Sequence, residues 1–389
     1  MTDSVGVTAY TAVNAIGSGI EEIVANLRAG RSGLMSCSLE LPFETQCGQV
    51  TTALARLPGG LEKFETRTTR LAWSALLQIE PQVRAAVERW GAERVGVVLG
   101  SSTAGMLETE RAYAYHQQHG RLPDGYSLQH QHSFGGLTEA LCEFLGVSGP
   151  GLVLSAACAS SAKVFGSALR LIQSGRIDAA LVGGADSLCQ ITLRGFHSLG
   201  ILSAHGCKPF AEARDGISLG EGAALVLLER RHGPGVYVRG VGESSDAHHM
   251  SAPDPKGAGA RMAIELALQQ AGLQANQLDY VNAHGTGTAL NDHMEAQVIL
   301  DLCGPTVPVV STKGYTGHLL GAAGATEVVF AIIALEQGWL PASLGALPLD
   351  PLVKACINTE RREQSCRHVL SNSFAFGGSN AAVVLSNLQ

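Results

Sequence analysis

The stretch GLVLSAACASSAKVFGSALRLIQSGRIDAALVGGADS, Gly151 to Ser187, decides the fold. GLVLSAAC reads as a short buried strand. In the run that follows, Val164, Ala168, Leu171 and Ile172 fall at i, i+4, i+7 and i+8, which places them on one helix face. IDAALVGGADS then reads as a second strand. Strand, helix, strand is the unit that builds a parallel sheet.

The same grammar repeats outward. RVGVVLGSS (Arg94–Ser102) is a strand ending in a Gly/Ser turn, and GAALVLLE (Gly222–Glu229) is another strand. After RRHGPG (Arg230–Gly235), a plausible junction, the order restarts. VYVRGVGESSD is a strand, GARMAIELALQQAG a helix and LDYVNAHGTGT a strand running into a glycine loop. VPVVSTKG repeats strand to loop, and HLLGAAGATEVVFAIIALEQG reads as one long helix. ISLGEGAALVLLE and FAFGGSNAAVVLS echo each other, each with a glycine loop before an Ala-Ala-aliphatic strand. This order predicts two similar α/β halves, residues 1–232 and 233–389, with mostly parallel sheet covered on both faces.

At 389 residues the chain is too long for one simple core, and 46% hydrophobic against 16% charged residues excludes a disordered chain. Glycine supplies 47 of the 389, about 12% against a usual ~7%, which implies many tight turns and close backbone approaches. A net charge of −7 argues against nucleic acid as a partner. The nine cysteines include no C-x-x-C pair, so neither a disulfide framework nor a metal site is indicated. A reducing cytoplasm fits them, and MTDSVGVTAYTAV lacks the features of a signal peptide. No uninterrupted apolar run reaches the ~18 residues of a membrane span. Residues 319–335 come closest, and Glu327 interrupts them.

Four glycine-rich corners carry candidate chemistry. Cys158 falls at a strand-to-helix corner, where unpaired N–H groups and the helix dipole favour a thiolate. Ala156, Ala157, Ala159 and Ser160 leave room around its sulfur. A lone cysteine is equally at home as a small buried hydrophobe. In NAHGTGTALNDHMEAQ, His284 closes a strand beside a glycine loop, a position that points into the cleft above a parallel sheet. A satisfied core histidine fits the segment as well. Asp292 and Glu295 are placed to cap the next helix. In STKGYTGHLLGAAGATE, Lys313 ends a strand and a glycine loop carries His318 into a helix. Glu327 sits in the apolar part of that helix, where a buried carboxylate needs a partner, and Lys313 is the obvious one. NSFAFGGSN, with Phe374 and Phe376, is either strand plus turn or a loop whose amides serve an oxyanion.

Taken in this order, the four corners resemble the β-ketoacyl-[acyl-carrier-protein] synthases of the thiolase superfamily. The resemblance runs nearly end to end, through LGSSTAGM, SAACASSA, LVGGADS, RDGISLGEGAALVLLE, NAHGTGTALNDHMEA, STKGYTGHLLGAAGATE and NSFAFGGSN. SSDAHHMSAPDP looks most like the elongating Cys-His-His type. The resemblance implies the thiolase fold, two similar βαβαβαββ halves packed as a five-layer αβαβα sandwich. It implies that Cys158 carries an acyl chain as a thioester while malonyl-carrier-protein decarboxylates beside His284 and His318. Lys313, held by Glu327, would orient His318. The amides of Cys158 and Phe376 would form the oxyanion hole, and Thr103, Phe196 and Phe374 the acyl pocket. No cofactor is implied. The partners implied are an acyl carrier protein and a second subunit, in a homodimer or a heterodimer with a related synthase-like chain.

Degradative thiolases carry a second cysteine in the final glycine loop, which here reads FGGSNAA, and starter-unit synthases carry asparagine where His318 stands. Non-catalytic partner subunits typically lack the cysteine. Ala375 replaces a usual glycine and should stiffen the gate. Thr103 brings a hydroxyl where relatives often carry an aliphatic residue; left unsatisfied, it would disfavour a plain alkyl chain and suit a polyene or polyketide-like one. Lys63, Arg67 and Arg70 in LEKFETRTTRLA form a candidate basic patch for an acidic carrier, although a solvated helix face has the same pattern.

Overall fold

Aliphatic runs bounded by glycine form the strands predicted for them. The computed structural model describes residues 4–388; Met1–Asp3 and Gln389, the outer ends of the two expected halves, lie outside the described residues. The first half contributes β1 (Val5–Asn14), β2 (Val95–Gly100), β3 (Gly151–Leu154), β4 (Ala179–Asp186) and β5 (Gly222–Arg230). The second contributes β6 (Gly235–Ser245), β7 (Tyr280–Asn282), β8 (Pro308–Val310), β9 (His368–Phe374) and β10 (Ser379–Leu388).

The two sets are arranged alike. Strand order is β3-β2-β4-β5-β1 in the first and β8-β7-β9-β10-β6 in the second. Pairing is parallel among the first three strands of each order and antiparallel among the rest, so the sheet is mixed and not mostly parallel as expected. The halves join edge to edge where Val5 and Gly6 pair with Val238 and Tyr237.

Helices among the described residues include α1 (Arg67–Trp90), α2 (Gly135–Leu145), α3 (Ser160–Gln173), α4 (Gln190–Ser198), α5 (Ala258–Ala271), α6 (Ala289–Cys303) and α7 (Ala323–Gln337), and all of these but α4 pack on the sheets. Side chains alternate across each strand, so every strand feeds two cores. In β4, Val182 packs with α3 and α7, while Leu181 packs with α1 and α2. In β10, Val383 packs with α3 and α7, while Val384 packs with α5 and α6. The layers therefore run helix, sheet, helix, sheet, helix, the five-layer fold expected.

The middle layer is tight. A Cβ on Gly324 would lie 2.8 Å from the Ala162 Cβ, and the Ala325 amide donates to Ser161 Oγ at 2.9 Å. Residues Leu320–Gln337, which Glu327 interrupts as expected, are on average apolar enough and long enough to cross a membrane, and 89% of the segment is buried inside the fold. The long helix expected from His318 starts later, after a 3-10 turn at Leu320–Ala322. Lys313–Thr316 form one helical turn, Gly317 takes φ 69°, and α7 begins at Ala323. The interruption lets His318 leave the helix path and turn toward Cys158.

Candidate active site

Cys158 lies between β3 and α3, and Ala157 before it takes φ 46°, a left-handed conformation that costs energy for a residue with a Cβ. Ser160 holds this corner, its Oγ accepting from the Ala156 amide at 2.9 Å and donating to the Ala157 carbonyl. The sulfur is buried and faces its own amide and that of Phe376. Burial pushes the Cys158 thiol up to about 12, against the opposing pull of the Lys313 charge and the Phe376 amide. Against the thiolate expected from the helix start stands desolvation, which outweighs the Lys313 charge and the two amides at the sulfur.

His284 follows β7 at its C-terminal end. Glu295, expected as a helix cap, instead reaches back from α6 and accepts from the amides of His284 (2.8 Å) and Gly285 (2.7 Å). Asp292 likewise accepts from Phe210 (2.8 Å) and Gly287 (3.2 Å), and Thr288 occupies the cap position. Gly285 must be glycine: φ is 37° and a Cβ would meet Ser311 at 2.5 Å. These contacts fix the backbone that presents His284.

Lys313 is almost fully buried and its Nζ donates to Glu327 Oε1 and the His284 carbonyl. Its third contact is His284 Nδ1 at 3.4 Å. An ammonium only donates, so Nδ1 is the acceptor and the ring carries its proton on Nε2. The expectation that Lys313 orients His318 needs correction, because its hydrogen bonds go to His284. Glu327 is pushed up to about 7, burial outweighing the Lys313 charge.

Cys158, His284, His318, Phe196, Phe374 and Phe376 line one cavity of about 280 Å³. The two imidazole rings stand 5.3 Å apart at 88°. Neither ring nitrogen of His318 has a hydrogen-bond partner among the described residues. Burial first, then the Lys313 charge, holds both histidines well below their ordinary pKa. Phe196 stacks on Phe376 at 5.3 Å, and Phe374 sits 6.0 Å from His284. Ala375 is extended (φ −123°, ψ 154°), a backbone any residue adopts, so alanine fits the gate without strain.

Four expected site residues lie elsewhere. Thr103 does not line the cavity; its hydroxyl donates to buried Asp186 at 2.7 Å, so the case for an unusual acyl chain from an unsatisfied hydroxyl lapses. Arg67 spends its guanidinium on Glu221 (Nε at 2.7 Å) and the Val50 carbonyl (3.0 Å). Arg70 donates to the carbonyls of Leu54 and Ala55 and pairs with Glu65 at 3.6 Å. Lys63 pairs with Glu143 at 3.1 Å. Arg67 and Arg70 brace the start of α1, with their guanidinium groups already engaged by carbonyls and carboxylates of this chain. Sequence reading missed Asp186, Glu221 and Glu295 as organisers of these loops. The signal was available: like Glu327, each is a carboxylate next to an apolar run or glycine corner, where it needs donors.

Comparison with known proteins places the whole chain. Residues 2–233 match the family model described as Beta-ketoacyl synthase, N-terminal domain, and residues 236–346 match its C-terminal domain. The mitochondrial 3-oxoacyl-[acyl-carrier-protein] synthase of Arabidopsis thaliana is 38% identical over 265 residues, 62% of this chain and 58% of that protein. The 3-oxoacyl-[acyl-carrier-protein] synthase 2 of Staphylococcus aureus is 31% identical over 321 residues, 77% of this chain and 76% of that one. Among solved structures, a ketosynthase (ApeO) in complex with its chain length factor (ApeC) from Xenorhabdus doucetiae superimposes with TM-score 0.94, at 40% identity over 99% of this chain and 98% of that one. The ishigamide ketosynthase/chain length factor gives TM-score 0.91 at 27% identity, covering both chains fully.

Proposed function

The chain belongs to the β-ketoacyl synthase family, and from that premise we propose that it condenses malonyl-carrier-protein with an acyl chain held on Cys158. The observation that carries this is the convergence of Cys158, His284 and His318 on one cavity, with Lys313 behind His284. Residues 1–232 then form the half with the nucleophile and 233–389 the half with the histidines.

In the first step Cys158 Sγ attacks the thioester carbonyl of an acyl carrier. The carbonyl oxygen becomes an oxyanion and takes hydrogen bonds from the amides of Cys158 and Phe376; one such donor is worth about 10²–10³ in rate. The carrier thiolate leaves and takes the cysteine proton, so the enzyme gains no charge. With the thiol pushed up to about 12, the sulfur holds its proton until the attack and passes it directly to the carrier sulfur that leaves.

In the second step malonyl-carrier-protein enters from the other side of the cavity. Its C–C bond to the carboxylate breaks, CO₂ leaves, and the electron pair becomes an enolate. His284, protonated on Nε2, donates to the enolate oxygen, and His318 supplies the second donor. Both rings are neutral, which suits a donor that must not transfer its proton outright. The enolate carbon attacks the Cys158 thioester, the tetrahedral adduct collapses, and the cysteine recovers a proton from solvent. Lys313 offsets the buried Glu327 charge and locks the tautomer of His284.

The partners proposed are an acidic acyl carrier protein and a second synthase-like subunit, either a copy of this chain or a relative. The two structural relatives in which a ketosynthase is paired with a chain length factor favour the latter. Intact mass measurement after incubation with acyl carriers tests the reaction. An adduct on Cys158, lost in Cys158→Ala, is expected; acylation that survives the substitution would refute the nucleophile.

A further inference from the structure

Asp186, at the C-terminal end of β4, is fully buried and collects the donors of two separate segments. From the loop after β2 come the amides of Ser102 (3.0 Å) and Thr103 (2.8 Å). The hydroxyls of Ser101 (2.6 Å), Ser102 (2.9 Å) and Thr103 (2.7 Å) come from the same loop. From the turn after His318 comes the amide of Gly321 at 2.6 Å, which also meets Ser102 Oγ at 3.0 Å. Three amides and three hydroxyls exceed the roughly four lone-pair sites of a carboxylate. An asparagine amide would turn its own N–H donors against them.

The arrangement bears on His318. Its ring has no hydrogen-bond partner among the described residues, so its aim depends on its backbone. On one side that backbone is held by His318 N to Ser218 O (2.7 Å) and Gly220 N to His318 O (2.8 Å). On the other side the hold is Gly321 on Asp186. Between them Leu320 takes φ 53°, and on the opposite arm of the clamp Ala104 takes φ 45°. Left-handed non-glycine residues persist only where their surroundings over-determine them. A Cβ on Gly321 would come within 2.6 Å of Asp186 Oδ2 and of the Ser102 amide, so the close approach requires glycine there.

We propose that Asp186 is a positioning residue for the decarboxylation step: it clamps the turn that aims His318 into the cavity and acts through His318 without touching substrate. This rests on the reaction proposed above. The test compares wild type, Asp186→Asn and Gly321→Ala in two assays. One is adduct formation on Cys158 from octanoyl-loaded carrier protein; the other is CO₂ release from malonyl carrier by the acylated enzyme. Adduct formation is expected within about threefold of wild type and CO₂ release down by ~100-fold, the scale of a roughly 1 Å misplacement. In a His318→Ala background, Asp186→Asn should cost nothing further in CO₂ release, because coupled residues are not additive. Equal losses in both assays, or a full multiplicative loss on His318→Ala, overturns the proposal. Should Asp186→Asn fail to fold, Ser102→Ala removes only the bridging hydroxyl and should show the same split at about three- to tenfold; no split overturns it. A wild-type enzyme that forms no adduct overturns the reaction instead, so the two failures are told apart.

Discussion

Lys313 Nζ stands 3.4 Å from His284 Nδ1, while the His318 ring, 5.3 Å from that of His284, takes no hydrogen bond from it. The two histidines are therefore held by different means. His284 has a side-chain partner that sets its tautomer, and His318 depends on the backbone around it. The difference makes the site testable residue by residue.

The pH dependence of decarboxylation should depend on Lys313. Both histidines are held well below 6.5 by burial and by the Lys313 charge, so the neutral rings persist as pH falls through 6.5. The acid limb of kcat for CO₂ release should lie below that value. Replacing the pair, Lys313→Met with Glu327→Gln, removes the positive neighbour without stranding a carboxylate. The histidine pKa then rises and the acid limb moves to higher pH. A limb that stays in place would show that the lysine charge does not act on the rings.

Cys158 should behave as an ordinary slow thiol toward a small alkylating agent. With its pKa pushed up to about 12, the thiolate fraction grows about tenfold for each pH unit between 7 and 10. Timed modification by iodoacetamide, read by peptide mass, should follow that slope without a plateau. A plateau below pH 8 would mean that the helix start wins over burial after all.

Phe196 should restrict the acyl chain. Its ring stacks on Phe376 at 5.3 Å beside Cys158, an arrangement worth roughly 0.5–1.5 kcal/mol. Phe196→Ala removes the stack and opens that wall of the cavity. Competition among acyl carriers should shift toward longer chains by on the order of tenfold, the scale of a single methylene. An unchanged preference removes Phe196 from the pocket.

Arg67→Glu should damage stability rather than docking. Glu221 is 2% exposed and Arg67 32%, so the reversal leaves a buried carboxylate facing another. Breaking a buried pair costs about 3–5 kcal/mol, and the partial exposure of Arg67 points to the low end. Urea denaturation should show a loss of ~3 kcal/mol. Lys63→Glu, on an exposed pair, should cost under ~1 kcal/mol. An Arg67→Glu protein of full stability with a raised carrier KM would restore the docking role.

Much of this protein could be read along the chain. Val164, Ala168, Leu171 and Ile172 announced α3, the echo of residues 217–229 in 374–386 announced the repeated β5 and β10, and glycine corners marked where Cys158, His284, His318 and Phe376 would sit. Each signal lies within a few residues of sequence, because strand and helix periods are local properties of the backbone. The reading failed where a side chain had two possible destinations. Arg67 looked like a surface cation and is spent on Glu221, 154 residues away. Thr103 looked like a pocket wall and is turned to Asp186, 83 residues away.

The sequence by itself carried the order of strands and helices, the motifs by which the chain resembles its family and the candidate side chains, since periodicity and short motifs are written in order along the chain. Only the tertiary structure decided which histidine Lys313 serves, how deeply Cys158 is buried, and that Asp186 gathers the turn after His318. Those outcomes depend on desolvation and on donor–acceptor matching between segments far apart in sequence. Both are properties of the packed interior, where a group's partners are set by which elements stack and not by its neighbours in the chain.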